Sequence, residues 1–140
     1  TMVIVVCGSN KRLYNKLISE QTSNFCVVGY TKQMCEYMQA CDVFLTKPGG
    51  ISTTEGAALG KPMLFINAVA GCELRNKQFF DKLGCAITVS DNREIPEVAI
   101  KMLDDAEKRK ELAENIKKEF GTNAARYIYK ELNENKETTI

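Results

Sequence analysis

The chain has 140 residues, with 19 Lys and Arg against 18 Asp and Glu, no His and a net charge of +1. That length suits one domain able to bury roughly 70% of its unfolded surface, so neither disulfides nor a structural metal is needed for folding. The balanced charge excludes a nucleic-acid binder held by bulk electrostatics, and recognition of any phosphate has to come from a local loop.

Taken in chain order, short apolar runs rich in β-branched residues alternate with segments of helical period. They read "MVIVVC" (2–7), "KRLYNKLISEQ" (11–21), "FCVVG" (25–29), "KQMCEYMQAC" (32–41), "DVFLT" (42–46), "STTEGAALG" (52–60), "PMLFIN" (62–67), "LRNKQFFDKLG" (74–84) and "CAITVS" (85–90). This alternation predicts an α/β, Rossmann-like fold: five parallel strands with helices on both faces. Unbroken apolar runs fit strands covered on both sides, and each helical segment is long enough for a right-handed crossover.

After residue 90 the strand signals stop, and helices are expected over about Ile95–Asp104, Glu107–Phe120 and Thr122–Asn133. The second is so rich in Lys and Glu that it reads as a solvated outer helix. In the third, Ala125, Ile128 and Leu132, flanked by Tyr127 and Tyr129, make an apolar stripe with no evident mate. The tail "ENKETTI" (134–140) reads as disordered.

The six cysteines, Cys7, Cys26, Cys35, Cys41, Cys72 and Cys85, contain no Cys-x-x-Cys pair. They are expected to be reduced thiols packed as small hydrophobes, in a cytoplasmic setting. No signal peptide is read at the start, and no apolar run approaches the roughly 20 residues that span a bilayer.

In an open parallel sheet, ligands lie outside the carboxyl ends of the strands. Four loops leave such ends: Cys7–Asn10, Gly29–Gln33, Thr46–Glu55 and Asn67–Asn76. The third, "TKPGGISTTE", is the informative one. It is not a Walker loop, because Lys47 precedes Gly49 and Gly50, and it lacks the Gly-x-Gly-x-x-Gly spacing of a dinucleotide fingerprint. The two glycines permit positive φ and close approach to the backbone, and the amides from Gly50 to Thr53 are orphan donors at the positive end of a helix dipole. Glu55 lies about 7 Å along the axis from Gly50, too far to share an anion but well placed for vicinal hydroxyls such as those of a ribose. A phosphate beside a ribose is a nucleotide. The same letters, Ser52-x-x-Glu55, also spell a capping box, and Gly60 followed by Pro62 is an ordinary helix stop.

The segments "VVCGSNKRLYNKL" (5–17), "VVGYTKQMCEYMQACDVFLTKPGGISTTEGAALGKPML" (27–64) and "AGCELRNKQFFDKLGCA" (70–86) resemble the carboxyl-terminal, donor-nucleotide half of the GT-B glycosyltransferases that make glycolipids. Within that group the resemblance is to processive diacylglycerol glucosyltransferases and monogalactosyldiacylglycerol synthases, and more distantly to the peptidoglycan N-acetylglucosaminyl transferase. It covers about residues 3–105, with the helices over 95–133 following.

The resemblance implies that Gly49, Gly50, Ile51, Ser52 and Thr53 hold the diphosphate of a UDP-sugar and that Glu55 holds its ribose. It further implies that Tyr30 and Thr31 meet the uracil through backbone groups and that Glu73 and Asn76 lie beside the donor sugar. The UDP-sugar is a substrate; no cofactor and no metal are expected. Cys72 stands where relatives usually carry Gln. The first strand, with its Gly-rich loop and helix, and the amino-terminal half that would contact acceptor and membrane are missing, so 1–140 is expected to be a partial domain of a longer protein at the cytoplasmic face of a membrane.

The implied reaction is inverting displacement of UDP by diacylglycerol, transferring a hexose. With no His, and with Asp42, Asp81, Asp91, Asp104 and Asp105 outside the four loops, no catalytic base is found and the chain alone is expected to be inactive. The alternative is a non-catalytic nucleotide-sugar subunit paired with a separate membrane half. A hydrolysing epimerase of similar fold would need acid and base groups that are not here.

Overall fold

A computed structural model describes residues 1–66, 68–89, 91–121 and 123–134. The expectations that fall on Asn67, Ser90, Thr122 and the tail 135–140 lie outside the described residues. The chain divides into two compact units, Thr1–Tyr37 and Met38–Ile140.

In the first unit, β1 (Val3–Val6), α1 (Lys11–Leu17) and β2 (Phe25–Val28) form one strand-helix-strand turn. β1 and β2 pair in parallel, with Val3 opposite Phe25 and Val6 opposite Val28. Asn10 starts α1 by accepting the Leu13 N–H at 3.0 Å, the usual device of an N-cap. The expectation of strands buried on both faces fails for β1, where Val3 is 51% and Ile4 41% exposed. An apolar strand carries the same residues whether or not something covers it, so periodicity could not foresee this.

α2 (Met34–Ala40) leads into the second unit, which holds β3 (Phe44–Thr46), α3 (Gly50–Ala58), β4 (Met63–Phe65), α4 (Cys72–Lys82), β5 (Ala86–Thr88), α5 (Ile95–Asp104), α6 (Ala106–Glu119) and α7 (Ala124–Glu134). The strands pair in parallel in the order β3-β4-β5. Five strands and the helices between them thus follow the order read from the sequence, but among the described residues they pair as a two-stranded and a three-stranded parallel sheet and not as one ladder of five. Central β4 is buried throughout: Met63 and Phe65 face a cluster with Ala57, Phe80, Cys85 and Ile116, while Leu64 faces the other side with Val89, Met102 and Leu112. Burial of each such large side chain contributes about 1.5–3 kcal/mol. Phe80 meets Phe65 edge-on and stacks on Phe120, with centroids 5.4 and 4.8 Å apart.

α3 and α4 end alike. Gly60 (φ 64) and Gly84 (φ 62) adopt the left-handed conformation. The amides of Gly60 and Lys61 return to the carbonyls of Ala57 and Gly56, as those of Gly84 and Cys85 do to Asp81 and Phe80, closing two Schellman motifs. Gly56 lies where α3 crosses the sheet, and an added Cβ would stand 3.0 Å from the Met63 sulfur and 3.1 Å from the Phe44 ring. Gly56→Ala is therefore expected to destabilise by about 1 kcal/mol net, overpacking outweighing the better helix propensity of Ala. Denaturant titration checks it; a stabilised variant would contradict this packing.

α6 corrects the reading of a solvated outer helix. Its Lys and Glu residues face water, but Leu112 (2% exposed) and Ile116 (0%) enter the two core clusters, one turn apart. The six cysteines are reduced thiols, as expected, yet Cys35 and Cys72 are exposed, so burial holds for only some of them. Burial pushes the thiols of Cys41 and Cys85 above their ordinary range, keeping both protonated at neutral pH. On α7 the stripe is exposed, with Tyr127, Ile128, Tyr129 and Leu132 all above 60%. Among the described residues no helix is long and apolar enough to cross a membrane.

Candidate functional site

The turn between β3 and α3 is built on Pro48, whose ring is fully buried. The next amide, Gly49 N–H, donates to the Lys47 carbonyl at 2.8 Å, folding the chain sharply before the helix. Gly49 is the N-cap, with φ −79° and ψ 144°, and α3 begins at Gly50. Neither glycine uses the positive φ that it permits; the glycines with positive φ are Gly8, Gly60, Gly71 and Gly84. Nor does packing require glycine here, because a Cβ on Gly49 or Gly50 would meet nothing within 4 Å. What the missing side chains provide is open access to the backbone.

Because the helix starts at Gly50, the amides of Gly50, Ile51 and Ser52 are the donors without a carbonyl one turn behind, and among the described residues they have no partner. Thr53 drops out of the expected set. Its N–H donates to the Gly49 carbonyl at 3.1 Å, its hydroxyl donates to the same oxygen at 2.7 Å, and the residue is 1% exposed. The capping box is also overturned: Ser52 is the third residue of the helix and Gly49 caps it with no side-chain bond. Glu55 is exposed one turn beyond Ile51 on the same face, and its carboxylate has no hydrogen bond or ion pair among the described residues.

Gly71 opens α4 at φ 96° and ψ −126°, a conformation essentially confined to glycine. Two residues on, Glu73 Oε2 accepts the Val69 N–H at 2.9 Å, tying down the preceding loop. Asn76 donates its side-chain amide to the Pro48 carbonyl at 2.9 Å, and Lys77 donates to the Val89 carbonyl at 3.0 Å. The start of α4 is thereby held to the turn after β3 on one side and to the end of β5 on the other. Exposed Cys72 receives a weak bond from the Arg75 guanidinium at 3.5 Å.

In the amino-terminal unit, the loops leaving β1 and β2 bound a concavity of about 250 Å³ lined by Gly8, Ser9, Lys11, Tyr14, Gly29 and Tyr30. Gly8 has φ 55°, and Tyr30 is 74% exposed. Thr31 turns its hydroxyl to accept the Gln33 N–H at 2.9 Å, shaping the entry to α2. Lys11 and Tyr14 were missed in the sequence, although their three-residue spacing on α1 places them on one face.

Residues 1–132 match the model of the glycosyltransferase family 28 C-terminal domain. The chain belongs to this family. A processive diacylglycerol beta-glucosyltransferase of Bacillus pumilus is 37% identical over 118 residues, 82% of this chain and 31% of that protein. One from Staphylococcus aureus strain N315 is 41% identical over 103 residues, 72% of this chain and 25% of that protein. The family 28 domain described here thus spans about a third of such relatives or less. Among solved structures, Acinetobacter baumannii MurG superposes with TM-score 0.70 at 16% identity, over 91% of this chain and 40% of its own. A glycotransferase of kitacinnamycin superposes at 0.67 and 20% identity, over 93% of this chain and 34% of its own. These likenesses establish the GT-B fold class of the family 28 domain.

Of the residues that the resemblance implied, the family 28 domain gathers Gly49 to Ser52 and Glu55 on the start of α3, and joins α4 to the turn through Asn76. Glu73 already serves one amide with one carboxylate oxygen, leaving the other for a further donor. Tyr30 and Thr31 lie on the loop after β2, in the amino-terminal unit.

Proposed function

We propose that this family 28 domain binds the nucleotide-sugar donor of an inverting glycosyltransferase that moves a hexose from a UDP-sugar to diacylglycerol. The observation that carries the reading is the start of α3: three unpartnered amides, an approach left open by two glycines that neither conformation nor packing demands, and an unpaired carboxylate one turn beyond. The amides of Gly50, Ile51 and Ser52 take the diphosphate, and the helix dipole stabilises the charge that builds on it as the glycosidic bond breaks. Glu55 takes the ribose hydroxyls. The base that accepts the proton of the attacking hydroxyl is assigned to the rest of a longer enzyme working at the cytoplasmic face of a membrane. The similarity to relatives named as diacylglycerol glucosyltransferases supports this acceptor and favours glucose as the sugar.

Calorimetry with UDP, UDP-glucose, UDP-galactose, UDP-N-acetylglucosamine, GDP and ADP tests the reading. Uridine ligands are expected to bind and the purine ligands to bind more weakly; no preference for uridine, or no binding, contradicts it. Glu73→Ala is expected to weaken UDP-glucose by about 1 kcal/mol, one hydrogen bond's net contribution, while UDP is unaffected. Equal losses for the two ligands would place Glu73 away from the sugar.

A further inference from the structure

Two glycines in succession leave the chain before α3 with more freedom than any other pair of residues, so a turn that presents amides in fixed directions has to be held from outside. Both polar ends of the Pro48–Gly49 peptide are held. Its N–H donates to the Lys47 carbonyl at 2.8 Å, and its C=O accepts the Asn76 side-chain amide at 2.9 Å from a residue 28 positions away. The next peptide is held by Thr53, whose N–H and hydroxyl both donate to the Gly49 carbonyl, so the Gly50 N–H in that same planar unit points the opposite way, out of the helix end.

We propose that Asn76 is a positioning residue of the diphosphate site: it pins the Pro48–Gly49 peptide, the one just before the peptide that carries the Gly50 N–H, and so fixes the entry to the helix end that presents the Gly50, Ile51 and Ser52 amides. The donor-sugar contact implied for it by resemblance is a different role, and the two are separable. This inference rests on the proposed donor-binding function for its ligand, but the pinning itself can be measured without ligand.

A matched control exists at the other end of α4. Asn115 donates its side-chain amide to the Gly84 carbonyl, also at 2.9 Å and also partly buried. Asn76→Ala and Asn115→Ala therefore remove bonds of the same chemistry, only one of which touches the turn. Asn76→Asp keeps the side-chain volume and removes the donor. With folding of each variant confirmed by its thermal transition, calorimetry is expected to show Asn76→Ala and Asn76→Asp weakening UDP and UDP-glucose by the same factor, about tenfold. Asn115→Ala is expected to change both by less than about twofold.

A loss confined to UDP-glucose would assign Asn76 to the sugar and overturn the proposal, as would unchanged affinity for both ligands. If the unaltered chain binds no UDP, the donor-binding reading fails, and ligand-free ¹⁵N relaxation decides the pinning. Faster internal motion at Gly49 to Ser52 in Asn76→Ala but not in Asn115→Ala supports it, and identical order parameters overturn it.

Discussion

Ile116→Ala is expected to lower the stability of the chain by about 2–5 kcal/mol, a large part of what a domain of this size possesses. Ile116 is 0% exposed and packs in the cluster that includes Met63, Phe65, Phe80 and Cys85, beneath a helix whose composition suggests no such burden. Truncation removes three buried carbons and leaves a cavity lined by β4, α4 and α6, which relaxes only in part because β4 is fixed by strand pairing on both edges. On the same helix, Lys110→Ala removes an exposed side chain that makes no ion pair or hydrogen bond among the described residues, and the expected change is under about 0.5 kcal/mol. Urea titration of the two variants separates the readings: similar small losses would return α6 to the solvated surface.

Glu55→Ala is expected to weaken UDP binding by about 1.5–3 kcal/mol, the scale of hydrogen bonds to a charged group, which is about 10- to 150-fold in Kd. Stability is expected to change by less than about 0.5 kcal/mol. The second half of this expectation comes from the structure. Were Glu55 part of a capping box, its removal would cost the helix a cap; with the helix starting at Gly50 and capped by Gly49, the carboxylate has no internal duty. Its position one turn beyond Ile51, on the exposed face, places it beside whatever the three free amides hold. Calorimetry with UDP, paired with a thermal melt, reads both halves. Unchanged affinity in a folded variant would remove Glu55 from the site, and a clear loss of stability would restore the capping role.

The sequence by itself determined the order of elements and their ends. Five apolar runs separated by helical periods became five strands in two parallel sheets, and Gly60 closed α3, because side-chain period and the left-handed freedom of glycine belong to a few neighbouring residues. The stretch from Lys47 to Glu55, with its family resemblance, was legible for the same reason. The start of α3 was decided by the buried Pro48 ring and by Thr53 turning inward, three residues earlier than a reading of Ser52 as the cap allows. The bond from Asn76 to Pro48 and the burial of Ile116 against β4 join residues far apart in the chain. Whether an amide, a threonine or an isoleucine faces a ligand, water or the core depends on what a distant segment brings to it, and that is set by packing of the whole unit, which no local pattern encodes.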